Sequence, residues 1–266
     1  MSISISTIKN ADLDDIRNLQ PEGWSDIIPA FKFYCASGFC YPFKLIADNK
    51  ISGCGCAIVL ERTAWLAHII VSPEYRRNGL GSMIVSHLMN FLTDKNIQTV
   101  SLIATDDGLP VYQKFDFEKT ENYLVLAKDT EALKEIPDCE VLPFIEKYRK
   151  EIYSLDQKAS GENRIKVLQN MLSESFVCIK EGVLSGYFIP SLGEGLITAV
   201  DAESGISLLK HKNPLILSIP EANFAAIHYA LSRGFTEQKS LCRMTFGNKL
   251  NRKPEYIYSR ISGYLG

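Results

Sequence analysis

The stretch from Val71 to Ser82, with what flanks it, constrains the fold more than any other part of the chain. Before it, Ala64-Trp65-Leu66-Ala67-His68-Ile69-Ile70-Val71 is a continuous apolar run of strand length, as expected of a buried strand. After it, Leu80, Ile84, Leu88 and Leu92 recur at helical spacing, and Met83 and Phe91 widen the stripe. Between them lies Ser72-Pro73-Glu74-Tyr75-Arg76-Arg77-Asn78-Gly79, with Gly81 following. The order predicts a strand, a short loop, and a helix that begins where the loop ends. Glycines there let the backbone approach a ligand with no Cβ in the way. The first N–H groups of a helix lack internal partners, and the helix dipole adds positive potential. Such a place suits a pyrophosphate, and Arg76 and Arg77 add charge beside it.

The spacing is not that of a Walker loop, because no lysine follows Gly81, nor is it Gly-x-Gly-x-x-Gly. Arg76-x-x-Gly79-x-Gly81 instead resembles the acetyl-CoA pyrophosphate loop of the GNAT N-acetyltransferases, written Gln/Arg-x-x-Gly-x-Gly/Ala. A second resemblance begins at Ala104. The chain reads A-T-D-D-G-L-P-V-Y-Q-K-F-D-F, where many members of that superfamily carry A-T-x-x-G-x-x-L-Y-x-K-L-G-F. The resemblance implies an α/β layered fold with a mixed, largely antiparallel sheet flanked by helices. It implies that acetyl-CoA lies along Ile69, Ile70 and Val71, with its pyrophosphate on Arg76, Arg77, Asn78, Gly79, Leu80, Gly81 and Ser82. It places Tyr112 where many members protonate the departing thiolate, and Glu22, Trp24 and Phe31 on the acceptor side. The chain departs from the pattern at Asp116, where glycine is usual.

The chemistry asks for more than these motifs. An alkylamine has a pKa of about 10.4 and must lose a proton before it attacks a thioester. Charge then builds on the carbonyl oxygen and needs a fixed donor; by resemblance this is a backbone N–H of the strand Trp65–Val71. His68, on that strand, is a candidate base that titrates near neutrality. The plainer reading of the same residue is a hydrogen-bonded histidine of a buried strand. Glu61 and Glu22 are weaker candidates, and His87 has no evident role.

Beyond Pro137 the chain again suggests helices (Ile145–Leu155, Arg164–Leu172) and strands (Phe176–Lys180, Leu196–Val200, Leu215–Ile219). Asn223, Ala226, Gly234 and Phe235 fall in register with the second GNAT motif, but Ala230 stands at the tyrosine position. After Val200 the chain reads Asp201-Ala202-Glu203-Ser204-Gly205, an acidic loop that would repel a pyrophosphate. The expectation is two GNAT-like domains: residues 1–128 with the coenzyme loop, a linker at 129–138, a degenerate copy at 139–247 and a tail at 248–266.

With a formal net charge of -2 over 266 residues, there is no electrostatic case for nucleic acid or an acidic membrane surface. No metal-like cysteine spacing is present. The seven cysteines are expected to be reduced and packed, Cys54 and Cys56 on one face of a strand, in a cytoplasmic protein with neither signal peptide nor membrane span. The functional expectation is an acetyl-CoA-dependent N-acetyltransferase acting on the amine of a small molecule, with no metal. The alternative is a non-catalytic acyl-CoA sensor.

Overall fold

The computed structural model describes residues 2–130 and 135–266. Residues 131–134, within the expected linker, lie outside the described residues. The chain divides into two compact units. The first runs to Glu118 and takes back Met244–Asn248 and Leu265; the second holds Lys119–Arg243, Lys249–Tyr264 and Gly266.

The first unit begins with β1 (Ile3–Thr7), α1 (Leu13–Arg17) and α2 (Ile28–Ala36), followed by β2 (Cys40–Ala47), β3 (Lys50–Leu60) and β4 (Thr63–Val71). These strands pair antiparallel in chain order. Asp48 and Asn49 turn β2 into β3 with φ of 48° and 62°, the left-handed pair that matches strand twist in a tight hairpin. Next come α3 (Leu80–Asp94), β5 (Thr99–Ala104) and α4 (Leu109–Gln113). The stripe Leu80, Ile84, Val85, Leu88 and Leu92 of α3 is buried. Its approach to β3 requires two glycines: a Cβ on Gly53 or Gly55 would stand 2.9 or 2.8 Å from Ile84. The helix ends at a left-handed Asn96, φ 56°, and Ile97 donates its N–H back to the Leu92 carbonyl at 3.1 Å. The outer side of β5 is completed from far along the chain. Asn248 donates its N–H to the Gln98 carbonyl at 3.0 Å and accepts from Thr99 Oγ1 at 2.9 Å.

The second unit comprises β6 (Glu118–Ala127), β7 (Val141–Pro143), α5 (Arg149–Ser160), α6 (Ile165–Leu168), β8 (Phe176–Lys180), β9 (Val183–Ile189) and β10 (Leu196–Ala199). It continues through α7 (Ala202–Lys212), β11 (Ile216–Pro220), α8 (Phe224–Ser232), β12 (Thr236–Gly247) and β13 (Ile257–Ser259). The order β10–α7–β11–α8–β12 repeats β4–α3–β5–α4–β6. One sheet runs β13-β10-β9-β8-β7; β11 pairs with β6, whose other neighbour is β12. Only the part of β12 up to Arg243 belongs to this unit; from Met244 the strand is counted with the first. Phe188, Ile197, Leu208, Leu209, Leu217, Ile219 and Phe235 make the core.

One expectation is corrected here. Cys139 and Cys178 form a disulfide, whereas Cys35, Cys40, Cys54, Cys56 and Cys242 are free. Antiparallel pairing sets Val141 of β7 opposite Cys178 of β8, which brings Cys139, two residues upstream, beside it. Among the described residues no helix is long and apolar enough to cross a membrane.

Candidate active site

The site begins where two strands part. β4 and β5 pair in parallel only from Thr63 to Trp65. Beyond Trp65 no strand among the described residues pairs with the backbone edge of β4 that faced β5. On its other side the register slips: Cys54 faces Ile70 but Cys56 faces Ala67. His68 and Ile69 thus oppose the single residue Gly55, a β-bulge, and His68 takes a φ of 48°. A cavity of about 740 Å³ opens along this splayed edge. Ile69, Ile70 and Val71 of β4 line it, together with Arg76, Arg77, Gly79, Leu80, Gly81 and Ser82 of the loop and helix start, Tyr112 of α4, and Glu22 and Trp24. Of the expected site residues, His68, Asn78 and Phe31 do not line it.

The loop fits a phosphate group by two observations. Gly79 is the N-cap of α3 with a φ of 81°, and no side chain caps the helix. A Cβ on Gly79 would meet nothing within 4 Å, and on Gly81 nothing nearer than 3.8 Å. The protein's own packing therefore does not demand glycine at 81, and the space is left on the cavity side. Arg76 folds back, its Nε donating to the Val71 carbonyl at 3.2 Å.

Tyr112 is buried on α4, its ring 6.0 Å from that of Phe117. Gly108 makes room for it, since a Cβ there would lie 2.8 Å from Tyr112 Cε2. Burial pushes the phenol up to about 12, so it stays protonated across the neutral range. Asp116, at the position where glycine is usual, has a φ of 59°. Aspartate tolerates this left-handed conformation better than most side chains.

His68 sits among aromatic rings: Phe31 and Tyr34 at 5.6 Å each and Trp24 at 6.2 Å. Its Nδ1 and the Tyr34 hydroxyl are 2.8 Å apart. Burial lowers its pKa to about 4, so near neutrality the imidazole is uncharged and a weak base. Phe31 is fully buried against Tyr34. Glu61 lies in the β3–β4 turn, and His87 packs on Phe43 at 4.6 Å.

Comparison with known proteins gives this arrangement its family. The Acetyltransferase (GNAT) family model matches residues 7–117, and a second Acetyltransferase (GNAT) domain model matches residues 152–259. The chain belongs to the GNAT acetyltransferase family. It is 24% identical over 260 residues to the uncharacterized N-acetyltransferase YitH of Bacillus subtilis, covering 92% of this chain and 91% of that one. Its fold is similar to a putative acetyltransferase from Pyrococcus horikoshii, with a TM-score of 0.83 at 20% identity over 99% of this chain and 96% of that one. A tandem GNAT protein from the clavulanic acid biosynthesis pathway gives a TM-score of 0.60 at 12% identity, over 92% and 98% of the two chains. The chain is thus a tandem GNAT protein.

In this GNAT chain one organising residue carries no signal in the sequence. Gln20 holds the segment that brings Pro21, Glu22 and Trp24 to the cavity. Its Nε2 donates to the carbonyls of Pro21, Trp24 and Ser25 at 3.2, 3.1 and 3.1 Å. Its Oε1 accepts from the Ile27 N–H at 3.0 Å. A lone glutamine before a proline gives no motif; only the folded loop reveals that one amide reaches four backbone groups, its two N–H bonds shared among three carbonyls. Thr105, Asp107 and Lys114 also line the cavity without having been singled out.

Proposed function

We propose that the chain is an acetyl-CoA-dependent N-acetyltransferase whose first unit binds the coenzyme and whose acceptor is the amine of a small molecule. The observation that carries this reading is the single cavity uniting the uncapped start of α3, the splayed edge of β4 and Tyr112. Arg76, Arg77 and the amides at Gly79–Ser82 would hold the pyrophosphate. The main chain of Ile69–Val71 along the splayed edge would pair with the extended arm, Arg76 releasing the Val71 carbonyl, and donate an N–H to the carbonyl oxygen as charge builds there.

The amine nitrogen forms a bond to the acetyl carbon, the carbon–sulfur bond breaks, and the sulfur leaves as a thiolate. Burial holds the Tyr112 phenol at about 12, so it meets the leaving sulfur with its proton in place. Tyr112 acts as the general acid, handing that proton to the sulfur and regaining one from solvent. His68 lies off the cavity with a depressed pKa, so we assign it to holding the bulge rather than to taking the amine's proton. That proton passes to water at the cavity mouth.

Turnover of acetyl-CoA with a panel of primary amines, followed by thiol release, tests the proposal. Tyr112→Phe is expected to lower kcat about 100-fold with the acetyl-CoA Kd unchanged; an effect under twofold would remove Tyr112 from the mechanism. Tight acetyl-CoA binding with no turnover on any amine would favour the acyl-CoA sensor.

A further inference from the structure

The crevice that stays open in the first unit is filled in the second. β10 and β11 hold the places of β4 and β5, yet they are not neighbours in a sheet. β13 runs antiparallel along β10, with Thr198 opposite Ile257 and Ile197 opposite Ser259. On its far side Arg260 donates its N–H to the Ser218 carbonyl of β11 at 3.3 Å. Side chains fasten the segment. Asn223 Nδ2 donates to the Ile257 carbonyl at 3.0 Å and Lys212 Nζ to Ser259 Oγ at 2.8 Å. Arg260 Nη2 reaches Glu194 at 2.8 Å. Every residue from Ile257 to Ile261 is at most 5% exposed.

The helix start is closed as well. Asp201 caps α7 through its side chain, accepting from Ser204 N–H at 2.9 Å. Lys180 bridges Asp201 and Glu203 at 3.0 and 2.8 Å. The Tyr258 ring lies on the first turn of α7, so close that a Cβ on Gly205 would be 2.2 Å from it. Where the first unit has open space over Gly81, the second has an aromatic ring over Gly205.

We propose that the second unit's crevice is a groove for an extended peptide, added as a strand to β10, and that its occupant is the chain's own residues 257–261. The segment takes the place that the first unit leaves for the thioester's extended arm, and the chain binds one coenzyme. This rests on the reading of the first cleft given above. The pairing is that of β-strand addition: main-chain hydrogen bonds hold the peptide, and the pocket for Tyr258 fixes its register.

Two measurements on the full-length chain test it. Calorimetry with acetyl-CoA should give one site per chain for the wild type and none for Gly81→Glu, whose new side chain enters the first cavity. Hydrogen exchange should show amides of 257–261 protected about a thousandfold, like those of β10. Tyr258→Ala should speed exchange of that segment about tenfold or more and leave the acetyl-CoA Kd unchanged. No binding by the wild type would overturn the reading of the first cleft. Saturable binding by Gly81→Glu, exchange of 257–261 complete within seconds, or an unaltered rate in Tyr258→Ala would overturn the assignment of the second groove.

Discussion

At the start of α3 the first unit presents Gly79 and Gly81 under open space, with no side chain capping the helix. At the start of α7 the second presents Asp201, hydrogen-bonded to Ser204, and Gly205 beneath the ring of Tyr258. The strand–helix–strand order is the same, and glycine serves opposite ends. In one unit it leaves room for a ligand; in the other it admits a side chain of the protein. A helix N-terminus becomes an anion site only where the protein leaves its amides unsatisfied. The second unit caps the Ser204 amide with Asp201 and packs Tyr258 on the first turn instead.

The polar groups placed between helix and sheet differ in kind too, and here the largest effect is expected. In the first unit α2 sends Tyr34 to His68, a neutral pair. In the second, α5 sends Asp156 to Arg164, at 2.6 and 3.0 Å, and to the Tyr187 hydroxyl at 2.5 Å, with Asp156 and Arg164 at most 2% exposed. Removing one member of a buried ion pair leaves the other charge uncompensated. Asp156→Asn should therefore destabilise the second unit by about 3–5 kcal/mol, and Tyr34→Phe the first by only about 1 kcal/mol. Denaturant midpoints would show it; equal losses would mean that the two arrangements are energetically alike.

The His68 environment predicts a pH signature for the first unit. The folded imidazole titrates at about 4 against 6.5 for the exposed group. Between those values the unfolded chain takes up a proton that the folded chain does not. Stability present above pH 6.5 is lost as pH falls towards 4, by up to about 3 kcal/mol. His68→Asn, which tolerates the left-handed backbone, should flatten that part of the stability–pH curve. An unchanged difference between pH 7 and 4.5 would show that His68 is not buried neutral.

The glycines themselves allow a reciprocal test. Gly205→Ala must displace Tyr258, and overpacking of this sort costs about 1–3 kcal/mol, with acetyl-CoA affinity retained. Gly81→Ala meets nothing nearer than 3.8 Å and should leave the melting temperature nearly unchanged while weakening acetyl-CoA binding. If Gly81→Ala lost stability and kept affinity, the cavity-side role of Gly81 would be wrong.

The parts of the site that local sequence can encode were legible: the apolar run, the arginines and glycines of the loop, the helical stripe, and Tyr112 in its short helix. The parts made by distant pairing were not. That Gly53 and Gly55 admit Ile84 depends on how α3 crosses β3. The bulge at His68 depends on a register slip between two strands. The disulfide follows from β7 pairing with β8, and the completion of β5 from residues almost 150 positions away leaves no local trace. The occupant of the second crevice is a three-residue strand, Ile257–Ser259, too short for alternation to announce it.

The smallest effect sharpens the comparison at one backbone position. Asp116 and Gly234 occupy the same place in the two copies of the motif, and both are left-handed, at φ of 59° and 80°. A side chain there carries a conformational penalty of about 1–2 kcal/mol for most residues, less for aspartate. Glycine removes it but gives up about 0.4–1 kcal/mol through the freer unfolded chain. Asp116→Gly should therefore stabilise the first unit by no more than about 0.5 kcal/mol and leave acetyl-CoA binding unaltered. Gly234→Asp, where a Cβ would touch nothing within 4 Å, reverses that balance and should cost the second unit no more than about 0.5 kcal/mol. Melting curves of the two variants separate the explanations. Opposite signs mean that the fold demands the left-handed turn in both copies. A loss above about 1 kcal/mol in Asp116→Gly would exceed any unfolded-chain effect and would show that the Asp116 carboxylate has been given work that glycine cannot do.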